Sequence, residues 1–191
     1  MDSDGYLSQL ADIFNGITVN TPSISAVIAI VLAGVLLLAS GFASASEIAF
    51  FSLSPSDRND IDERNHPSDD KISALLDDTE RLLATILITN NFVNVTIIML
   101  CNFFFMNVFV FHSPLAEFLI LTVILTFLLL LFGEIMPKIY SAQKTLAFCR
   151  FSAPGIYYLE KVFYPVATVL VRSTTFLNKH FAKKSHNISV D

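Results

Sequence analysis

The chain has 191 residues, 53% of them hydrophobic and only 15% charged, with a mean hydropathy of +0.61, against the roughly 25% charge of an ordinary soluble domain. Its net charge of -5 combines 17 acidic with 12 basic residues; no lysine or arginine precedes Arg58, and eight lie at or after Lys138. This pattern argues against a soluble enzyme and against a nucleic-acid binder, which needs a clustered basic face, and points to an integral membrane protein.

Residues 1–23 carry Asp2, Asp4 and Asp12 and no basic residue, so they are not the positive n-region of a signal peptide and read as an extracytoplasmic segment. The first apolar run, about 24–53, has Glu47 as its one charge. The connection 54–81 holds Arg58, Arg64, Lys71 and Arg81. It opens on Ser54-Pro-Ser-Asp57, a helix-start signal, and is interrupted at Asn65-His-Pro-Ser-Asp-Asp70, so a cytosolic helical hairpin is expected there. A second apolar run, about 82–111, has no charge, and a third, about 115–137, carries Glu117 and Glu134. Each run suffices for the ~20 residues a helix needs to cross ~30 Å of hydrocarbon. The turn between runs two and three lacks Lys and Arg, whereas the chain from Lys138 onward is basic, so the positive-inside rule puts the N-terminus outside and the C-terminus in the cytoplasm. Residues 24–140 are thus a transmembrane domain, and 141–181 an amphipathic juxtamembrane belt with Pro154, Gly155 and Pro165 expected as breaks. The polar residues 182–191 read as a linker. The expected fold is an all-α integral membrane domain of three spans, a cytosolic hairpin and the belt. Cys101 and Cys149 sit in unlike contexts and are expected as two free, buried thiols.

Each span carries a polar cluster, and ionisable groups inside a membrane are functional candidates by default. Span one has Ser44, Ser46 and Glu47, span two has Asn90, Asn91 and Asn94, and span three has Gly133 and Glu134 followed by Pro137 and Lys138. Ser44 lies nine residues before Leu53 and Asn90 nine after Arg81, so at 1.5 Å per residue both sit ~13 Å from the inner end. Glu134 is four residues from Lys138, ~6 Å by the same rise, and a broken or tilted helix would carry it deeper. Pro137 has no N–H for the carbonyl of Gly133, so a helix break is expected there. Hydroxyl, carboxamide, carboxylate and carbonyl are all hard oxygen donors, and imidazole and thiolate are absent from the set, which suits Mg²⁺, Ca²⁺ or an alkali cation rather than Zn²⁺ or Cu⁺. Glu47 and Lys138 read either as ion-pathway residues or as a paired acid and an interface anchor. Asn and Ser in membrane helices also serve as plain interhelical glue. Motifs for an intramembrane enzyme are missing, so no catalytic role is expected.

The stretches Phe42-Ala-Ser-Ala-Ser-Glu-Ile-Ala-Phe50, Glu80-Arg-Leu-Leu-Ala-Thr-Ile-Leu-Ile-Thr-Asn-Asn-Phe-Val-Asn94 and Phe132-Gly-Glu-Ile-Met-Pro-Lys138 resemble the transmembrane domain of the CorC/CNNM (cyclin M) magnesium transporters. The resemblance covers roughly residues 20–175, and the phenylalanine-rich span two is also similar to gliding-motility-associated bacterial members. It implies a homodimer in the bacterial inner membrane that binds a largely dehydrated Mg²⁺ and exports it, with Na⁺ as the exchanged ion. Its implied ligands are Ser44, Asn90, Asn91, Asn94, Gly133 and Glu134. It also implies cytosolic CBS domains beyond the 182–191 linker. Thr89 and Ala45 stand where the family commonly has glycine, so ion geometry or selectivity is expected to differ. The competing expectation is a dimeric membrane scaffold whose buried polar residues only hold helices together.

Overall fold

The computed structural model describes the backbone of residues 18–110 and 114–185, and the side chains of 18–110 and 117–173. Helix α1, Ile24–Phe51, starts where Ser23 caps it, its Oγ accepting the Ala26 N–H at 3.2 Å. Along this helix the small residues Ala26, Ala29, Ala33 and Ser40 are buried, while Ile28, Val31, Val35 and Leu38 are exposed. Small residues inward and large aliphatics outward is the pattern of a helix whose solvent is lipid. Helix α2, Pro55–Asp62, begins with the expected signal made real as a capping box: Ser54 Oγ accepts the Asp57 N–H, and the Asp57 carboxylate accepts the Ser54 N–H. Helix α3, Asp69–Leu76, follows a turn in which Arg64 takes a positive φ of 54°.

Helix α4, Thr79–Val108, starts three residues earlier than the apolar run suggests, because Asp78 caps it by accepting the Arg81 N–H at 3.0 Å. It also stops earlier. Phe109–Val110 leave it as strand β2 and pair antiparallel with strand β1, Thr18–Val19, in a two-residue ladder between the expected extracytoplasmic segment and the end of the second apolar run. Residues 1–17 and 111–113 lie outside the described residues.

Span three is helix α5, Pro114–Leu128, then a π-helical segment, Leu129–Ile135, then helix α6, Met136–Gln143. The break expected at Pro137 is therefore corrected: the chain stays helical through the proline. In the wide turns the Met136 N–H bonds the Leu131 carbonyl, five residues back. Pro137 brings no N–H to either register, so a widened turn just before it spreads the defect instead of ending the helix. Helix α7, Thr145–Ser185, likewise runs through Pro154 and Pro165, which were expected to break it. Its buried stripe of Cys149, Ala153 and Ile156 continues past Pro154, so packing holds one helix despite the lost hydrogen bond. Residues 182–185 prolong α7 rather than beginning a linker, and 186–191 lie outside the described residues.

Helices Ile24–Phe51 and Thr79–Val108 and the stretch Glu117–Gln143 are each long and apolar enough to cross a membrane. The all-α membrane fold is as expected, and its elements include three spans, hairpin α2–α3 and the long helix α7. The described residues form two compact units. The first takes those up to Gly41 with Phe92–Met136, the second Phe42–Asn91 with those from Pro137. The first unit packs Ala33, Val93, Ile97, Cys101, Leu125 and Leu129 into one core. In the second, Phe50, Ile61, Ile72, Leu82, Cys149 and Ile156 join five segments, and α3 packs on α7. Both cysteines are free and buried.

Candidate functional site

In the first unit each span contributes one polar residue to a single cluster. Ser40 Oγ of α1 donates to Asn94 Oδ1 of α4 at 2.7 Å, and Asn94 Nδ2 donates to Glu134 Oε1 of the π segment at 3.4 Å. Ser40 is fully buried, and Asn94 and Glu134 are half-buried. Gly133 is what allows the approach, since a Cβ there would lie 3.0 Å from Ser40 Oγ. The cluster thus gathers Asn94, Gly133 and Glu134 of the expected set around Ser40, which sequence reasoning missed. Its signal was available: Ser40 precedes Ser44 by four residues, one helical turn, next to Gly41.

The other expected residues lie in the second unit. Ser44 is fully buried, and its Oγ donates to Asn90 Oδ1 at 3.4 Å. Asn91 is exposed, pointing away from that pair as its position on the helix requires. Lys138 Nζ and Glu47 Oε2 form an ion pair at 2.9 Å, with both side chains about a quarter to a third exposed. Of the two readings of these residues, the geometry draws the paired acid. Ser46 is turned into its own helix, donating to the Phe42 carbonyl at 2.6 Å. Thr89, the departure from the family pattern, does the same, its hydroxyl donating to the Thr85 carbonyl at 2.8 Å. Its polar atom is thereby spent on the helix backbone.

The first-unit cluster has unequal bonds, and this matters for chemistry. The Ser40–Asn94 contact is short and fixes the carboxamide; the Asn94–Glu134 contact is at the long limit for a hydrogen bond. Asn94 turns its NH2 toward Glu134 and its oxygen toward Ser40, so a cation beside the Glu134 carboxylate gains Asn94 Oδ1 only when the carboxamide turns over and gives up both contacts. Ser40 Oγ, Asn94 Oδ1 and the two Glu134 oxygens are four hard donors. An octahedral Mg²⁺ would complete its shell with retained water.

The match to known proteins covers these same residues. The model of the cyclin M transmembrane N-terminal domain matches residues 30–190. A UPF0053 protein of Haemophilus influenzae is 30% identical over 136 residues, which is 71% of this chain and 31% of that protein. The chain therefore spans about a third of the length of the curated relative it matches. With three apolar spans, the serine, asparagine and Gly-Glu motifs in order, and a family match over most of its length, this chain belongs to the cyclin M transmembrane domain family.

Proposed function

We propose that this domain carries a divalent cation, Mg²⁺ foremost, across the bacterial inner membrane. It exports the ion in exchange for Na⁺, with the N-terminus outside and the C-terminus in the cytoplasm. One observation carries the reading: all three spans bring an oxygen donor to the Ser40–Asn94–Glu134 cluster, and one donor is a carboxylate at membrane depth. Glu134 supplies the charge that offsets partial dehydration, Ser40 and, with its carboxamide turned over, Asn94 supply neutral oxygens, and Gly133 leaves room for them. Ser44 and Asn90 are proposed as a further oxygen pair within their own unit. The working form is a homodimer joined to cytosolic CBS domains, and the role is transport, not catalysis.

A second reading is favoured by the short Ser40–Asn94 bond. On this reading the cluster is interhelical glue, worth about 0.6–2 kcal/mol per bond in a membrane, in a scaffold that presents the hairpin to partners. Thermal melting with Mg²⁺, Ca²⁺, Na⁺ and K⁺, beside Glu134→Gln, separates the two. A cation at about 100 times its Kd stabilises by roughly 2.7 kcal/mol. Transport predicts Mg²⁺-selective stabilisation that Glu134→Gln removes. A response missing in the parent chain, or retained in the variant, would overturn it.

A further inference from the structure

Polar side chains in the first unit do not end at Asn94 and Glu134. Between α4 and α5 lies a groove of about 420 Å³, whose walls include Asn102, Met106, Glu117, Phe118, Thr122 and Thr126. Asn102, Thr122 and Thr126 are exposed. Among the described residues, none of the four polar side chains makes a side-chain hydrogen bond. The contrast with other span threonines is direct. Thr96 and Thr89 spend their hydroxyls on the carbonyl four residues back, at 2.8 Å each, whereas Thr122 and Thr126 keep theirs open. An unpaired carboxamide and carboxylate facing hydrocarbon would each be costly, so the groove calls for a polar occupant.

Register and charge say which one. Asn102 is eight residues beyond Asn94 on α4, and Thr126 is eight before Glu134 on span three. Both steps run toward the 111–113 connection, ~12 Å at 1.5 Å per residue. The groove thus continues the polar track of the Asn94–Glu134 cluster toward one end of the unit. The sequence of this unit contains no lysine or arginine, and among the described residues Glu117 makes no ion pair. That selects a cation over an anion. At about 30 Å³ per water the groove has room for roughly a dozen waters, enough for a cation that keeps its first shell.

We propose that this groove is a hydrated cation vestibule: Asn102, Thr122 and Thr126 hold the water shell, and Glu117 concentrates the ion. It rests on the transport reading above, as the route between the cluster and the N-terminal side of the membrane. The test measures hydration and charge, not transport. Thr122→Cys, Asn102→Cys and the outward-facing control Val123→Cys are reconstituted in liposomes and treated with water-soluble cationic and anionic methanethiosulfonates. The parent chain, with its two buried thiols, supplies the background. The expected result is labelling at positions 122 and 102 about tenfold or more faster than at 123, with the cationic reagent favoured by focusing of the Glu117 charge. Glu117→Gln should remove that preference, and millimolar Mg²⁺ should slow labelling. Rates equal to the Val123 control would overturn the proposal in favour of a groove filled by lipid or covered by a second copy. Fast labelling without charge preference would overturn the cation assignment. A charge-selective vestibule in a chain whose Mg²⁺ stabilisation survives Glu134→Gln would uphold the groove and sink the cluster as the transport site.

Discussion

Asp69 offers the sharpest test of how the second unit is held together. Its side chain is completely buried, Oδ1 lies 2.8 Å from Arg150 Nε, and Oδ2 lies 3.1 Å from Nη2. Oδ2 also accepts the His66 N–H at 2.9 Å. This side-on pair ties α3 to α7, so Asp69→Ala removes the tie, strands Arg150 and leaves one backbone donor unpaired. Removing one partner of a buried pair costs about 3–5 kcal/mol. Arg150 is 23% exposed and can swing toward water, which argues for the lower end, and the lost His66 contact adds about 1 kcal/mol. A total of about 4 kcal/mol lowers the melting midpoint of a chain this long by roughly 8–16 °C. The chain has no tryptophan, so far-ultraviolet circular dichroism in detergent is the assay. Asp69→Asn, which keeps an acceptor for His66 but not the charge, should fall between parent and Ala. The pH dependence has a fixed sign. Burial pushes the Asp69 carboxyl up, but the Arg150 hydrogen bonds, the His66 N–H and the Arg150 charge outweigh it and hold it below the usual carboxylate range. The folded state therefore binds its proton more weakly than the unfolded one. The stabilisation is complete above the ordinary value of about 4 and is lost as pH falls through the lower folded value. An Asp69→Ala chain that melts with the parent at neutral pH would refute the tie.

Two further outcomes test other parts of the same unit. Thr85 is fully buried, and among the described residues its hydroxyl has no hydrogen-bond partner. Thr85→Val should be neutral or stabilising by up to about 1 kcal/mol, since it removes an unpaired polar atom at constant shape; a clear drop in melting midpoint would mean that the hydroxyl is engaged. Glu160 has its pKa raised by burial, with Arg81 pulling it down and Asp78 pushing it up. Its folded form holds a proton more tightly than the unfolded form, so its ionisation costs stability as pH rises above about 4.5. Glu160→Gln should melt higher than the parent at pH ~7 and level with it at pH ~4, and a gap independent of pH would contradict this.

The spans were legible because long apolar runs have few alternatives, and Ser54-Pro-Ser-Asp57 announced helix α2 through the chemistry of its cap. The start of α4 was less visible, because hydropathy marks Leu82 whereas the Asp78 cap sets Thr79. Proline misled at 137, 154 and 165: at 137 a widened turn absorbs the missing hydrogen bond, and at 154 the buried Cys149–Ala153–Ile156 stripe outweighs it, neither of which the sequence displays. The candidate ligands were readable as residue types, and their neighbours were not. Ser40 gives only a helical spacing in sequence, and it takes three dimensions to set it against Asn94. Thr89 stood out as an added side chain, but its rotamer, which hides the hydroxyl on Thr85, belongs to the fold.

The π segment at Leu129–Ile135 has a consequence of phase. A turn closed over five residues instead of four stores one surplus residue, and one residue of α-helix is a rotation of about 100° with ~1.5 Å of rise. Gly133 and Glu134 sit inside that surplus, so their direction is set by the width of the turn rather than by the helix that leads into it. Deleting a single residue at 130 or 131 would let the segment relax to ordinary winding and carry the carboxylate off Asn94 by about 100°, with every side chain of the cluster still present in the sequence. The angular setting of Glu134 is therefore a property of chain length at this point, one that no substitution scan of the site would reveal.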